Sequence, residues 1–167
     1  METNRARPAQ DAGEQDMLIG WLEHHRGILV WKCEDLNAEQ LRRRAVPPST
    51  LSLLGLVRHM AEVERGWFRQ VFLGEDVPDL YEDAGFTDID HADPAEAFSD
   101  FERECAAARQ VVAQAPNLDV LSKQTSERTG RPWSLRWIVT HMIEEYARHN
   151  GHADLLRECV DGRTGYY

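Results

Sequence analysis

Apolar residues recur every three or four positions through four long stretches of the chain, and the breaks between them fall at proline, glycine and acidic clusters. From Gly13 to Cys33, Met17, Trp21, Ile28 and Trp31 form one stripe that Leu18, Leu22 and Leu29 broaden, which predicts a first helix. Asn37 then caps a short turn, and Val46-Pro47-Pro48 stops it, because proline lacks an amide donor and restricts its neighbour. Ser49 or Thr50 is expected to cap a second helix that runs to about Leu73 and ends at Gly74. Its inward positions are Leu53, Leu54, Leu56, Val57, Met60, Trp67, Phe68 and Val71. Residues 74–92 read as a long acidic loop. Asp93-Pro94 opens a third helix, with aspartate as N-cap and proline in the first turn, reaching about Ala115 and burying Phe98, Phe101, Cys105 and Val112. After a loop at 116–132, Ser134 caps a fourth helix that runs to about Val160 and stops at Asp161-Gly162. No segment alternates convincingly as a strand. The expectation is an all-α fold, a four-helix bundle with long crossover connections.

Length and charge narrow the picture. The chain of 167 residues fits one domain, expected over 13–167 behind a flexible N-terminal arm at 1–12. No apolar run is long enough to span a membrane, and the polar N-terminus lacks the apolar centre of a signal peptide, so the expected location is cytoplasmic. A formal net charge of −10 repels phosphate backbones and argues against nucleic acid as a partner. Cys33, Cys105 and Cys159 are far apart and fit no zinc spacing, so they are expected as reduced, packed thiols. Trp21, Trp31 and Trp133 suit either the core or a homodimer face.

The chemistry concentrates on the fourth helix. Ile138, Met142, Glu145, His149, His152 and Leu156 step by three or four and share one stripe, apolar at both ends. A carboxylate in such a stripe must be neutralised, paired or bound to a cation. Glu145 and His149 are spaced to aim two ligands at one metal, and zinc, iron, nickel and manganese all suit such donors. Alternatively, the pair does no more than hydrogen-bond internally, with His152 facing solvent. A third ligand has to come from another helix, and His59, amid apolar residues of the second helix, is the best candidate. His24 and His25 are adjacent and point about 100° apart, so both cannot face one ion. His91 lies in the acidic loop. His141 could replace one of the ligands but ranks below His149.

Two runs go further than spacing. Ser52-Leu-Leu-Gly-Leu-Val-Arg-His59-Met-Ala-Glu-Val-Glu-Arg-Gly-Trp67 and the segment from Trp137 through Glu145-Tyr-Ala-Arg-His149-Asn-Gly-His152 to Arg157 together resemble the DinB-like (YfiT-like) metalloenzyme superfamily. The nearest likeness is to an actinobacterial branch related to mycothiol-dependent enzymes. The resemblance covers nearly the whole chain. It implies a divalent metal held between helices, commonly by three histidines. Here Glu145 stands where the common pattern has histidine, which resembles instead the His, Glu, His set of mycothiol-dependent maleylpyruvate isomerase. The implied ligands are His59, Glu145 and His149.

The expected activity is therefore a metal-dependent thiol S-transferase or thiol-dependent isomerase, with zinc as the first choice of metal. Mycothiol or a similar low-molecular-weight thiol would be co-substrate with a small electrophile. His152 could orient a water or a substrate group, and Glu62, one turn from His59, could serve as a base. Arg58, Arg148 and Arg157 could grip carboxylates of the thiol or of an acidic substrate. Two alternatives stay open: a hydrolase using metal-activated water, or a non-enzymatic, stress-related bundle whose metal is structural.

Overall fold

The computed structural model describes residues 5–165. Helix α1 (Glu14–Cys33) is followed by the short α2 (Ala38–Arg42) and by α3 (Leu53–Glu64), which continues directly into a π-helical segment (Arg65–Phe72). A 3-10 turn (Glu82–Gly85) precedes α4 (Pro94–Gln114). A two-stranded antiparallel hairpin, β1 (Leu121–Thr125) and β2 (Pro132–Ser134), leads into α5 (Leu135–Asp161). The four long helices form the expected all-α bundle. α5 returns across it to pack chiefly on α1, while α3 packs chiefly on α4 and also touches α5 and α1. Leu29, Leu54, Leu56, Met60, Phe68, Phe101, Ile138 and Met142 fill the space between them.

The helix ends follow local chemistry. Asn37 and Gln40 close a reciprocal capping box on α2. Asp93 accepts from the Ala95 amide at 2.9 Å, with Pro94 in the first turn of α4. Ser134 Oγ accepts from the Trp137 amide, and Gly162, at φ +76°, closes α5.

Three features differ from the sequence expectations. Ser52, rather than Ser49 or Thr50, caps α3: its Oγ accepts from the Gly55 amide at 3.1 Å, and the prolines push the helix start downstream. A hairpin forms where no strand was expected. Of β1 only Ser122 is buried, so the strand carries no hydrophobic alternation. It is held by backbone pairing and by Ser122 Oγ, which accepts from the Trp133 amide and donates to the Gln124 carbonyl. Cys33 and Cys105 are buried as expected, but Cys159 is exposed on the outer face of α5.

Residues 1–4 of the expected flexible arm lie outside the described residues. Residues 5–12 form no helix but lie along α1. The Arg5 guanidinium sits 4.7 Å from the Trp31 ring centre, the Arg5 carbonyl meets His24 Nδ1 at 2.8 Å, and Pro8 covers Gly20 so closely that a Cβ there would come within 2.7 Å of it.

A polar network runs through the centre of the bundle. Arg26 on α1 donates to both oxygens of Glu64 on α3, at 2.7 and 2.5 Å, and to Glu23 at 2.5 Å. The Tyr146 hydroxyl of α5 donates to Glu64 Oε1 at 2.7 Å, and Cys105 of α4 lies 3.9 Å from that hydroxyl. Arg26, Glu64 and Tyr146 are all buried, so one carboxylate ties three helices together.

Candidate metal centre

His59 projects from the middle of α3, and Glu145 and His149 project from successive turns of α5. One ligating atom from each lies within 4.8 Å of the others. The His59 and His149 rings meet edge-on at 4.7 Å between centroids. His149 Nε2 is 3.5 Å from Glu145 Oε2.

The orientation of His59 comes from outside its helix. Its Nδ1 lies 3.0 Å from the Ala84 carbonyl. A carbonyl only accepts, so Nδ1 carries the proton and Nε2 keeps the lone pair a metal needs. Phe86 stacks on the same ring at 4.6 Å. The carbonyl is delivered by an unusual turn in which Asp83, Ala84 and Gly85 all have positive φ, at 46°, 53° and 91°. Gly85 is required there: a Cβ would approach the His59 amide nitrogen to 2.8 Å and the Arg58 carbonyl carbon to 2.9 Å. The backbone conformation at Ala84 is costly for a residue with a side chain, and such strain persists where the surroundings impose it.

His149 uses its other nitrogen similarly, with Nδ1 3.4 Å from Nδ1 of His152, so His152 stands behind the ligand cluster. Burial holds both His59 and His149 below the usual histidine range. For His149 the depression reaches about 4, because the positive charges that His59, His152 and Arg148 can carry add to the burial. Both imidazoles are therefore neutral donors at neutral pH. Glu145 is only partly exposed, and its closest charged or imidazole neighbours are His149 at 3.5 Å and His141 and Arg148 at 3.8 Å. A carboxylate facing two neutral imidazoles, with its closest cation the exposed Arg148 at 3.8 Å, is a donor set that fits a divalent metal.

The remaining candidates are spread more widely. Arg148 lies at the rim, exposed, 2.9 Å from Glu144. Arg58 is buried, donates to the Thr87 carbonyl at 2.7 Å and stacks over Tyr81. Arg157 is engaged by the Lys32 and Glu34 carbonyls and by Asp161, at the far end of α5. Glu62 accepts from the Leu80 and Tyr81 amides, at 2.7 and 3.1 Å, and so anchors the loop that follows the π segment. His24 and His25 lie on α1: His25 meets Asn150, which donates to its carbonyl at 3.1 Å. Among the described residues no second group of three potential ligands converges.

The residues most readily missed from sequence are Ala84, Gly85 and Phe86. Their part is played by a backbone carbonyl and a ring from a loop 25 residues downstream of His59. The local signal was the acidic, glycine-containing run over 74–92, which marks a loop but not this turn.

Residues 17–162, most of the chain, match the family model described as Mycothiol-S-transferase. It is a family of the DinB-like and YfiT-like kind that the two helix runs resemble. No curated protein matches the chain.

Proposed function

Because the chain belongs to the mycothiol-S-transferase family, we propose that it is a divalent-metal-dependent enzyme that joins the sulfur of mycothiol to a small electrophile, with His59, Glu145 and His149 as the metal ligands. The convergence of those three side chains within 4.8 Å carries the proposal. A divalent ion held there, with zinc as our first choice, would supply Lewis acidity that lowers the pKa of a thiol and makes thiolate abundant at neutral pH. Three protein ligands leave coordination open, which suits a working site better than a purely structural one.

The protein's own groups do the rest. Ala84 and Phe86 fix the His59 ring, and His152 fixes the far nitrogen of His149. Arg148 is the rim cation placed to bind a carboxylate of the thiol or the substrate, 3.8 Å from the Glu145 oxygen. In the transfer, the thiol proton passes to solvent, sulfur bonds to the electrophilic carbon, and the leaving group departs with its electron pair. We place Arg58, Arg157 and Glu62 in supporting roles, since each already satisfies backbone groups. Glu62, the base that hydrolysis would call on, is engaged instead by the Leu80 and Tyr81 amides.

The test is bound metal by elemental analysis of protein purified without a histidine tag, beside Glu145→Ala and His149→Ala. About one equivalent in the wild type and loss in both variants is expected, followed by metal-dependent consumption of mycothiol with an electrophile. Absence of metal after reconstitution with zinc, nickel and iron would overturn the proposal.

A further inference from the structure

One cluster of side chains stands at the edge of the core, partly buried and outside the ligand set. Trp67 of the π segment, Trp133 of β2, and Trp137 and His141 of α5 form a continuous aromatic group. Trp67 meets Trp133 at 5.4 Å, Trp137 at 5.2 Å and His141 at 4.8 Å. Trp137 stacks on His141 at 4.9 Å with the planes 21° apart. His141 ends the row against the metal centre, its Nε2 3.8 Å from Glu145 Oε1. The row follows α5 one turn at a time, since 137, 141 and 145 are each four apart.

Two facts argue against packing as its whole purpose. Trp137 leaves 45% of its surface exposed, one of three large apolar side chains so placed among the described residues. Trp67 also stands on the π-helical segment rather than on regular α-helix, and π segments occur disproportionately at functional sites.

We propose that this row is the subsite for the electrophile, and that the electrophile it takes is a planar, electron-poor arene. This rests on the S-transferase reading above. The two requirements coincide chemically. Electron withdrawal makes an aromatic carbon open to attack by thiolate, and the same withdrawal makes the ring a good stacking partner for electron-rich indole. His141 lies about one helical turn, roughly 6 Å along the axis, from the Glu145 level. An arene held on this row therefore lies beside the ligand cluster, where His141 comes within 3.8 Å of Glu145. For a chloroarene, sulfur adds to the ring carbon, the carbon–chlorine bond breaks, and chloride leaves with the bonding pair. The product is a thioether, and no oxidant is consumed.

The test uses the full chain as purified and 1,3-dinitrobenzene, which has the ring but no leaving group. Binding is read from the five indole N–H resonances by NMR. Saturable shifts confined to Trp67, Trp133 and Trp137 are expected, with Trp21 and Trp31 as internal controls. Trp137→Ala should weaken binding about three- to tenfold, and Trp137→Phe should restore most of it, at unchanged metal content. In parallel, Trp137→Ala should lower transfer from mycothiol to 1-chloro-2,4-dinitrobenzene by a larger factor than transfer to iodoacetamide, and equal factors would overturn the arene preference. Equal shifts at Trp21 and Trp31, no saturation, or a wild-type dimer that Trp137→Ala dissociates would each overturn the subsite. The last outcome would give the face to a second copy of the chain. Specific dinitrobenzene shifts without transfer to either electrophile would instead overturn the S-transferase reading and leave the aromatic subsite standing.

Discussion

Arg26→Met removes the one cation among the described residues that pairs with Glu64 in the centre of the bundle. Arg26 donates to both Glu64 oxygens, and Glu64 is fully buried, so the variant leaves a carboxylate whose remaining partner is the Tyr146 hydroxyl at 2.7 Å. Burial pushes that phenol well above its usual range, so it stays a donor, but it brings no charge. Breaking a buried pair from one side costs about 3–5 kcal/mol, a large fraction of a domain's stability. Replacing the whole cluster with apolar groups of similar volume leaves no stranded charge and is commonly neutral or better. Glu23 keeps its partner in either case, through Arg109 at 3.0 Å. The assay is urea unfolding of metal-free protein at pH 7.5, comparing wild type, Arg26→Met and the triple variant Arg26→Met/Glu64→Leu/Tyr146→Phe. Arg26→Met should lose about 3–5 kcal/mol and the triple variant should regain at least half of it. A loss below about 1 kcal/mol, or a triple variant no more stable than the single one, would refute the view that the pair is a buried charge interaction.

Three further outcomes are expected. His149 is held at about 4 in the folded protein against 6.5 for a free histidine, so between those values the unfolded chain binds more protons; metal-free protein should be fully stable above about pH 6.5 and weaken as pH falls toward 4, and His149→Gln should flatten that slope in unfolding titrations. Gly85→Ala puts a Cβ 2.8 Å from the His59 amide nitrogen, so it should cost about 1–3 kcal/mol and weaken metal binding as the Ala84 carbonyl leaves His59, measured by unfolding and by chelator competition; unchanged metal affinity would show that this carbonyl does not orient the ligand. Native protein should show one thiol that reacts rapidly with a disulfide reagent and three after unfolding, because Cys159 is exposed while burial pushes Cys33 up to about 12 and Cys105 higher than usual; a rapid second thiol would contradict that.

Local features explain what the sequence made legible. Helical periods, the caps at Asn37, Asp93 and Ser134, and the glycine stop at 162 depend on residues a few positions apart, so they are read directly from the chain. The two candidate ligands on α5 are legible for the same reason. The rest depends on distant partners. The hairpin carries no hydrophobic signal, because Ser122 supplies its one buried side chain. The inward stripe of α5 runs through Met142 and Tyr146, with Glu145 at its edge, and only the arrival of Glu64 from α3 explains why a tyrosine is buried there. The carbonyl that orients His59 comes from a turn whose positive φ values cannot be read from Asp83 and Ala84. The hydrophobic pattern also gives no sign that α3 widens into a π segment at Arg65.

The buried network and the candidate metal centre share their helices, and this has a measurable consequence. Tyr146 follows Glu145 on α5, and Glu64 lies five residues beyond His59 on α3, so the Tyr146–Glu64 hydrogen bond joins the two helices that carry the ligands, close to where they carry them. A hydrogen bond to a charged group contributes about 1.5–3 kcal/mol. If part of that energy holds the α3–α5 spacing at which three ligand atoms stay within 4.8 Å, then Tyr146→Phe must weaken metal binding as well as the fold. Spending about 1.4 kcal/mol on spacing would appear as roughly a tenfold loss of affinity. General destabilisation would not do this, because affinity measured on folded protein is insensitive to a cavity that leaves the α3–α5 spacing unchanged. Leu41→Ala on α2 supplies that control: Leu41 is buried, its truncation costs about 2–5 kcal/mol, and although α2 packs on α3, Leu41 belongs neither to the network nor to the α3–α5 contact. Chelator competition under folding conditions should show weakened affinity in Tyr146→Phe and wild-type affinity in Leu41→Ala. Equal affinities in the two variants would separate the network from the site and leave apolar packing alone to set the distance between His59 and His149.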